Sequence, residues 1–208
     1  MDLELDLDQD VPEGHRSGFV AVVGAPNAGK STLINALLDQ KIAIVSPRPQ
    51  TTRSKQLGIL TTDKFQIVFV DTPGLIKKAM HTLDEIMVDT VIESMDGADA
   101  ILWMVDASRL PRGADKELAR LLDPLSKRMP IILAMNKVDE MTMEQVATNH
   151  VAYRNLLPDA EWIVFSAKTR AGLDELRGMI VKALPEGPRF YPPEQITDAY
   201  VRLSLIHI

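Results

Sequence analysis

The stretch Gly24-Ala25-Pro26-Asn27-Ala28-Gly29-Lys30-Ser31 constrains this chain more than any other. It reads G-x-x-x-x-G-K-S and lies between an apolar run, Phe19 to Val23, and a helical pattern running from about Ser31 through Thr32 to Leu38. Strand, glycine loop and helix in that order are the setting a phosphate-binding loop requires; elsewhere the same residues would be a glycine turn ahead of an ordinary helix. Glycines let backbone N–H groups turn inward around a phosphate, and the helix N-terminus adds the positive end of its dipole. Lys30 is then expected to reach the β- and γ-phosphates, and Ser31 to place its hydroxyl on Mg2+.

The rest of the chain alternates strands with helices. Strands are expected at Phe19 to Val23, Gln56 to Leu60, Phe65 to Val70, Ala100 to Val105, Pro130 to Met135 and Trp162 to Phe165. Helices are expected at about Ser31 to Leu38, Thr82 to Met95, Ala114 to Leu122, Met143 to Leu156 and Gly172 to Leu184, with Pro124 ending or kinking the third. The methionines between them suit core filling. The short Thr61-Thr62-Asp63-Lys64 connection suits a hairpin and predicts a single antiparallel edge strand. The expected fold is therefore α/β: a doubly wound, six-stranded, mostly parallel sheet with helices on both faces and the ligand at its carboxyl edge. Between Ser46 and Arg53 two prolines break a polar segment, which reads as an exposed loop able to sense a γ-phosphate, or as a plain connector.

Polar residues follow three of these strands. Asp71, at a strand end, is placed to hold Mg2+ through water, and Gly74 of Asp71-Thr72-Pro73-Gly74 can offer its N–H to a γ-phosphate. Asn136-Lys137-Val138-Asp139 sets a carboxylate where it would accept from guanine N1–H and the exocyclic amine, groups that adenine lacks, while Asn136 would buttress the loop and touch N7. In Ser166-Ala167-Lys168 the Ala167 N–H is placed to meet guanine O6.

Composition narrows the function classes. There is no cysteine, so disulfides and thiolate metal sites are excluded, and the four histidines form no ligand-spaced cluster. The net charge of −6 gives no basic footprint for nucleic acid. No apolar run approaches the roughly 18 residues of a membrane span, and the acidic start, Met1 to Asp10, is unlike a secretory signal. Peripheral membrane association therefore gains no support from the sequence, and a cytoplasmic location is expected. Residues 1–17 are expected to be a disordered acidic arm, 18–185 the nucleotide-binding domain, and 186–208 a linker and truncated end.

The ordered motifs Gly24 to Ser31, Thr52 within Gln50-Thr51-Thr52-Arg53, Asp71 to Gly74, Asn136 to Asp139 and Ser166 to Lys168 resemble those of a Ras-like G domain, a P-loop NTPase. Ala25-Pro26-Asn27, Gln50 to Arg53 and the tail Leu184 to Pro192 make the chain similar to the Era family, within the TrmE-Era-EngA class of translation-factor-related GTPases. The resemblance implies Mg2+-dependent hydrolysis of GTP to GDP. It implies nucleotide contacts from Gly24, Ala25, Pro26, Asn27, Ala28, Gly29, Lys30, Ser31, Thr32, Asp71, Thr72, Pro73, Gly74, Asn136, Lys137, Asp139, Ser166, Ala167 and Lys168. It further implies Mg2+ held by Ser31, Thr52 and Asp71, and catalytic parts for Asn27, Lys30, Thr52 and Gly74.

Leu75 stands where Ras-like proteins carry the glutamine that orients the attacking water, so slow intrinsic turnover is expected. In the resembling families the equivalent of Asn27 can ligate K+ beside the phosphates; otherwise Asn27 only braces the loop. The resemblance also implies the small ribosomal subunit and its 16S rRNA as partners, bound through a KH domain. Beyond Pro193, Glu194 to Ile208 hold neither room for one nor a G-x-x-G loop, which suggests a truncated or frame-shifted end. A nucleotide-gated binding module, and a GTPase of tRNA modification or large-subunit assembly, remain as alternatives.

Overall fold

Apolar runs become strands throughout residues 11–38, 57–71 and 97–193, which the computed structural model describes. Strand β1 is Arg16–Val23, β2 Leu57–Thr61, β3 Phe65–Asp71, β4 Ala100–Asp106, β5 Ile131–Asn136 and β6 Glu161–Val164. Between them run the helices α1 (Lys30–Leu38), α2 (Gly113–Ser126), α3 (Met143–Arg154) and α4 (Leu173–Ala183). The strand order is β2-β3-β1-β4-β5-β6. Among these strands only the β2–β3 pair is antiparallel, so the hairpin forms one edge as expected, while β1 pairs in parallel with both β3 and β4. Residues 1–10, the loop from Ser46 to Arg53 with Thr52, the segment Thr72, Pro73, Gly74 and Leu75, the helix expected over Thr82 to Met95, and residues 194–208 lie outside the described residues.

Alternate residues of the central strands point to opposite faces, and each face is covered. Val20, Val22, Leu102, Met104 and Ala134 pack with Leu33 and Leu37 of α1 and with Leu176 and Ile180 of α4. Ala21, Val23, Trp103, Val105 and Met135 pack on the other side with Leu118, Leu122 and Leu125 of α2 and with Tyr153 of α3. Full burial of a Leu or Phe contributes about 1.5–3 kcal/mol each, so these two layers fix the sheet and leave its ends to loops.

Of the two alternatives at Pro124, the helix continues: α2 runs through it to Ser126, past the expected end at Leu122. The proline removes a hydrogen bond to Arg120 O, but Arg120 and Pro124 are both exposed, so solvent can satisfy that carbonyl while Leu121, Leu122 and Leu125 stay buried. Two further expectations are corrected. Met143 is 87% exposed and fills no core, unlike the fully buried Met104 and Met135. The fold also reaches past both edges of the 18–185 span. Arg16 and Ser17 belong to β1, and His15 is buried, its Nδ1 at 2.9 Å from Gly187 O.

The segment after α4 turns back across the amino ends of β1 and β3. Ser17 N–H donates to Pro185 O at 3.1 Å, the Ser17 hydroxyl to Pro188 O, and Gly187 N–H to His15 O at 3.0 Å. Gln66, fully buried in β3, uses every bonding position of its carboxamide. Its Oε1 accepts from Phe190 N (2.8 Å) and Tyr191 N (2.9 Å), and its Nε2 donates to Tyr191 O (2.8 Å) and Thr61 Oγ1 (2.9 Å). The Phe19 and Phe190 rings meet with centroids 4.9 Å apart. Residues 185–191 are thus part of the folded body, held by main-chain bonds that a polar, proline-broken sequence does not announce.

Candidate nucleotide site

All these strands but β2 run the same way, so the carboxyl ends of β1, β3, β4, β5 and β6 lie at one edge of the sheet. The glycine loop follows β1 there. Gly24 (φ +154°) lies so close to β4 that a Cβ would collide with Met104 O, and Gly29 (φ +98°) lies so close to Asn136 that a Cβ would fall on its Nδ2. These two glycines are required by backbone conformation and by contact. Lys30 Nζ donates to Gly24 O at 2.9 Å and approaches Ala25 O at 3.4 Å, so the ammonium is folded over the loop that it terminates. Ser31 and Thr32, both part-buried, follow it in the first turn of α1. That turn carries no acidic side chain, so the positive end of the helix dipole is suited to an anion. Pro26 and Asn27 are exposed, Ala25 and Ala28 buried, and Asn27 sits in the left-handed region at φ 64°.

Asn136, 3% exposed at the end of β5, ties three loops together. Its Nδ2 donates to Ala28 O at 2.9 Å, and its Oδ1 accepts from Lys137 N at 2.8 Å and from Ala167 N at 2.9 Å. The buttress expected of Asn136 is therefore present. The Ala167 amide, expected to meet guanine O6, is buried and donates to Asn136 Oδ1. Ser166 is fully buried and closes its own turn, its N–H donating to Ala171 O and its Oγ accepting from Thr169 N at 3.0 Å. Lys168 and Asp139 are both exposed, the latter in the 3-10 turn Val138–Glu140, so the carboxylate is open to a ligand.

Asp71 ends β3 opposite Val22 of β1, two residues before Gly24, which brings its backbone to the phosphate-loop edge. Its side chain, like Thr52, Thr72, Pro73 and Gly74, falls outside the described residues. Among the described residues no group of three His, Cys, Asp or Glu side chains could hold a metal alone. A Mg2+ that draws most of its ligands from phosphate oxygens fits this composition, with the Ser31 hydroxyl and the end of β3 beside the loop.

One cluster at this edge was not singled out from the sequence. Lys137 Nζ donates to Asp106 Oδ2 at 2.7 Å, and Asp106 Oδ1 accepts from Ser108 N (3.1 Å) and Ser108 Oγ (2.6 Å). Burial pushes the Asp106 carboxyl upward, but the hydrogen bonds from Lys137 and Ser108 and the charge of Lys137 outweigh it, holding the group below the usual carboxylate range. Beside it Arg109 bridges the buried Asp115 at 2.7 Å. Tyr153 OH donates to Asp106 O at 3.0 Å, and burial together with the Asp115 charge drives that phenol well above its ordinary value. The available signal was position: like Asp71 and Asn136, Asp106 is the polar residue that closes a buried strand.

The sequence matches the family described as 50S ribosome-binding GTPase over residues 19–137, more than half the chain. The chain belongs to that GTPase family. Its fold is the P-loop G domain. Among curated relatives, the chain is 47% identical to the GTPase Era of Crocosphaera subtropica over 95% of its own length and 62% of that protein's. It is 40% identical to the chloroplastic ERA-like GTPase of Arabidopsis thaliana over 88% of its length and 43% of that protein's. Among solved structures it is similar to Era in complex with MgGDPNP and nucleotides 1506–1542 of 16S ribosomal RNA, at 36% identity and a TM-score of 0.76, covering 88% of this chain and 62% of that one. The Aquifex aeolicus Era bound to GDP and aluminium fluoride gives 37% and 0.76, over 91% and 64%. The chain thus spans about 62% of the length of the Crocosphaera relative and of the RNA-bound Era structure, and 43% of the chloroplastic one. No helix among the described residues is long and apolar enough to cross a membrane.

Proposed function

We propose that this chain binds GTP and GDP with Mg2+ and hydrolyses GTP to GDP and phosphate, in the Era manner, as part of small ribosomal subunit assembly in the cytoplasm. The observation that carries the nucleotide reading is the Asn136 brace, which joins the glycine loop to both loops expected at the base through three hydrogen bonds. Phosphates would lie on the loop Gly24 to Ser31 with Thr32 behind it, and Lys30 would exchange its bonds to Gly24 O and Ala25 O for phosphate oxygens. Asp139 would select guanine, and Lys168 flanks it. Ser31, with Thr52 and Asp71, would hold Mg2+, which supplies charge neutralisation between the β- and γ-phosphates. The 16S rRNA complex of the Era relative supports an RNA partner of the same kind for the protein this chain belongs to.

The site is tested by titration with fluorescent GDP and ADP analogues and by single-turnover GTP hydrolysis. Submicromolar GDP binding, at least a hundredfold weaker ADP binding and slow Mg2+-dependent phosphate release are expected; equal affinity for both diphosphates would refute the guanine reading. Asn27, exposed and left-handed, carries an amide oxygen able to ligate K+ beside the phosphates. Hydrolysis should therefore be faster in KCl than in NaCl at equal ionic strength, and Asn27→Ala should abolish that difference. Equal rates in the two salts would leave Asn27 as a loop brace only.

A further inference from the structure

Lys137 is held in an unusual conformation. Its backbone is left-handed, at φ 71° and ψ 32°, a region that lysine adopts reluctantly. The conformation is fixed on both sides, by Lys137 N–H donating to Asn136 Oδ1 at 2.8 Å and Val138 N–H donating to Phe165 O at 3.2 Å. Its side chain then crosses from the end of β5 to the end of β4, where Asp106 and Asn136 are register partners, and ends on Asp106 Oδ2 at 2.7 Å.

The receiving carboxylate is itself aimed. Ser108 holds Oδ1 with two hydrogen bonds, and Tyr153 OH holds the Asp106 carbonyl. Arg109, the other cation nearby, stands 3.9 Å from Asp106 Oδ2 and is committed to Asp115 at 2.7 Å, so Lys137 is the close ionic partner of Asp106. The strand order places β4 between β1, which carries the phosphate loop, and the pair β5 and β6, which carry the loops of Asp139 and Ser166 to Lys168. A nucleotide that reaches from the first loop to the other two has to pass over the end of β4, and the Lys137 stem lies there.

We infer that Asp106 is a positioning residue of the nucleoside subsite. It pins the Lys137 ammonium, so that the lysine presents its methylene stem to the sugar and base instead of a mobile charge. The ammonium is kept from competing with Lys30 for phosphate, and the stem forms an apolar floor. The inference rests on the guanine-nucleotide reading above.

The test is a double-mutant cycle on the dissociation rate of fluorescent GDP from the full chain, with thermal unfolding run in parallel. Asp106→Asn should speed GDP release about tenfold, and Asp106→Glu should recover most of the loss. In a Lys137→Ala background, Asp106→Asn should add nothing, because its effect passes through that side chain. A purely structural role would lower the melting temperature equally in both backgrounds and would keep its effect on release. Unchanged release in Asp106→Asn, or the same increase with and without Lys137, overturns the proposal. If Asp106→Asn does not fold, Ser108→Ala serves in the same cycle, with an increase of about threefold expected only when Lys137 is present. Absence of GDP binding by the unmodified chain would overturn the guanine reading and this proposal with it, whereas tight binding with indifferent variants overturns this proposal alone.

Discussion

Replacing Asn136 by alanine should be among the most damaging single changes at the carboxyl edge. The carboxamide is 3% exposed and makes three hydrogen bonds, all to main-chain groups of different loops. Alanine leaves Ala28 O, Lys137 N and Ala167 N without partners. Ala28 and Ala167 are 1% and 3% exposed, so two of these groups are cut off from solvent, while the partly exposed Lys137 can recover a bond to water. An unsatisfied buried group costs about 1–3 kcal/mol, which puts the loss at about 3–5 kcal/mol. That is a large share of the roughly 5–15 kcal/mol stabilising a domain of this size. The internal standard is Asn149→Ala, which loses only the buried bond from Nδ2 to Ala107 O at 2.8 Å and should cost about 1–2 kcal/mol. Urea unfolding of both variants, followed by far-ultraviolet circular dichroism without nucleotide, compares them directly. If Asn136→Ala costs no more than Asn149→Ala, the three loops are not held by this side chain and the argument fails.

Three other outcomes follow from the same edge and from the opposite one. Asp139→Asn should lose GTP by roughly 10⁴-fold and gain xanthosine triphosphate, whose ring exchanges a donor for an acceptor; retained tight GTP binding in a titration would sink the role of Asp139. Gln66→Leu should cost about 1–2 kcal/mol and accelerate amide exchange at Phe190 and Tyr191 specifically; protection unchanged at those two amides would remove Gln66 as their holder. Burial raises the Asp106 carboxyl, but the Lys137 and Ser108 hydrogen bonds prevail and its folded value lies below the unfolded one of about 3.9. Its stabilisation is therefore complete above that pH and is lost as pH falls through the folded value, so the melting-temperature gap to Asp106→Asn should hold from pH 5 to 8 and close below pH 4.

Strand placement was legible because β4 and β5 are buried on both faces and read as unbroken apolar runs with a polar residue at the end. The residues that follow those strands inherit their places from them, so Asn136, Asp139 and Ser166 could be assigned to one edge from spacing alone. What Asn136 bonds to could not be read, because its partners Ala28 and Ala167 are 108 and 31 residues away in sequence and offer only backbone atoms. The same holds for Gln66, which meets Tyr191 across 125 residues. Asp106 was visible as a strand end but carried no motif, and its meaning depends on the backbone twist at Lys137, which no residue type demands.

The two ends of the sheet serve different parts of the chain, and β3 joins them. It carries Gln66 near its amino end, bonded to Phe190 and Tyr191, and Asp71 at its carboxyl end, level with Val22 beside the glycine loop. Five residues of extended chain separate these points by about 17 Å. Ile67, Val68 and Phe69 between them are fully buried, and close-packed interiors shift as units instead of bending smoothly. A displacement of β3 at the phosphate edge would therefore reach the seat of residues 190–191 as a shift of the whole strand. Exchange at Phe190 and Tyr191, compared between GDP and a non-hydrolysable GTP analogue, is the place to look for it. Equal protection in the two states would mean that the tail is seated independently of the nucleotide.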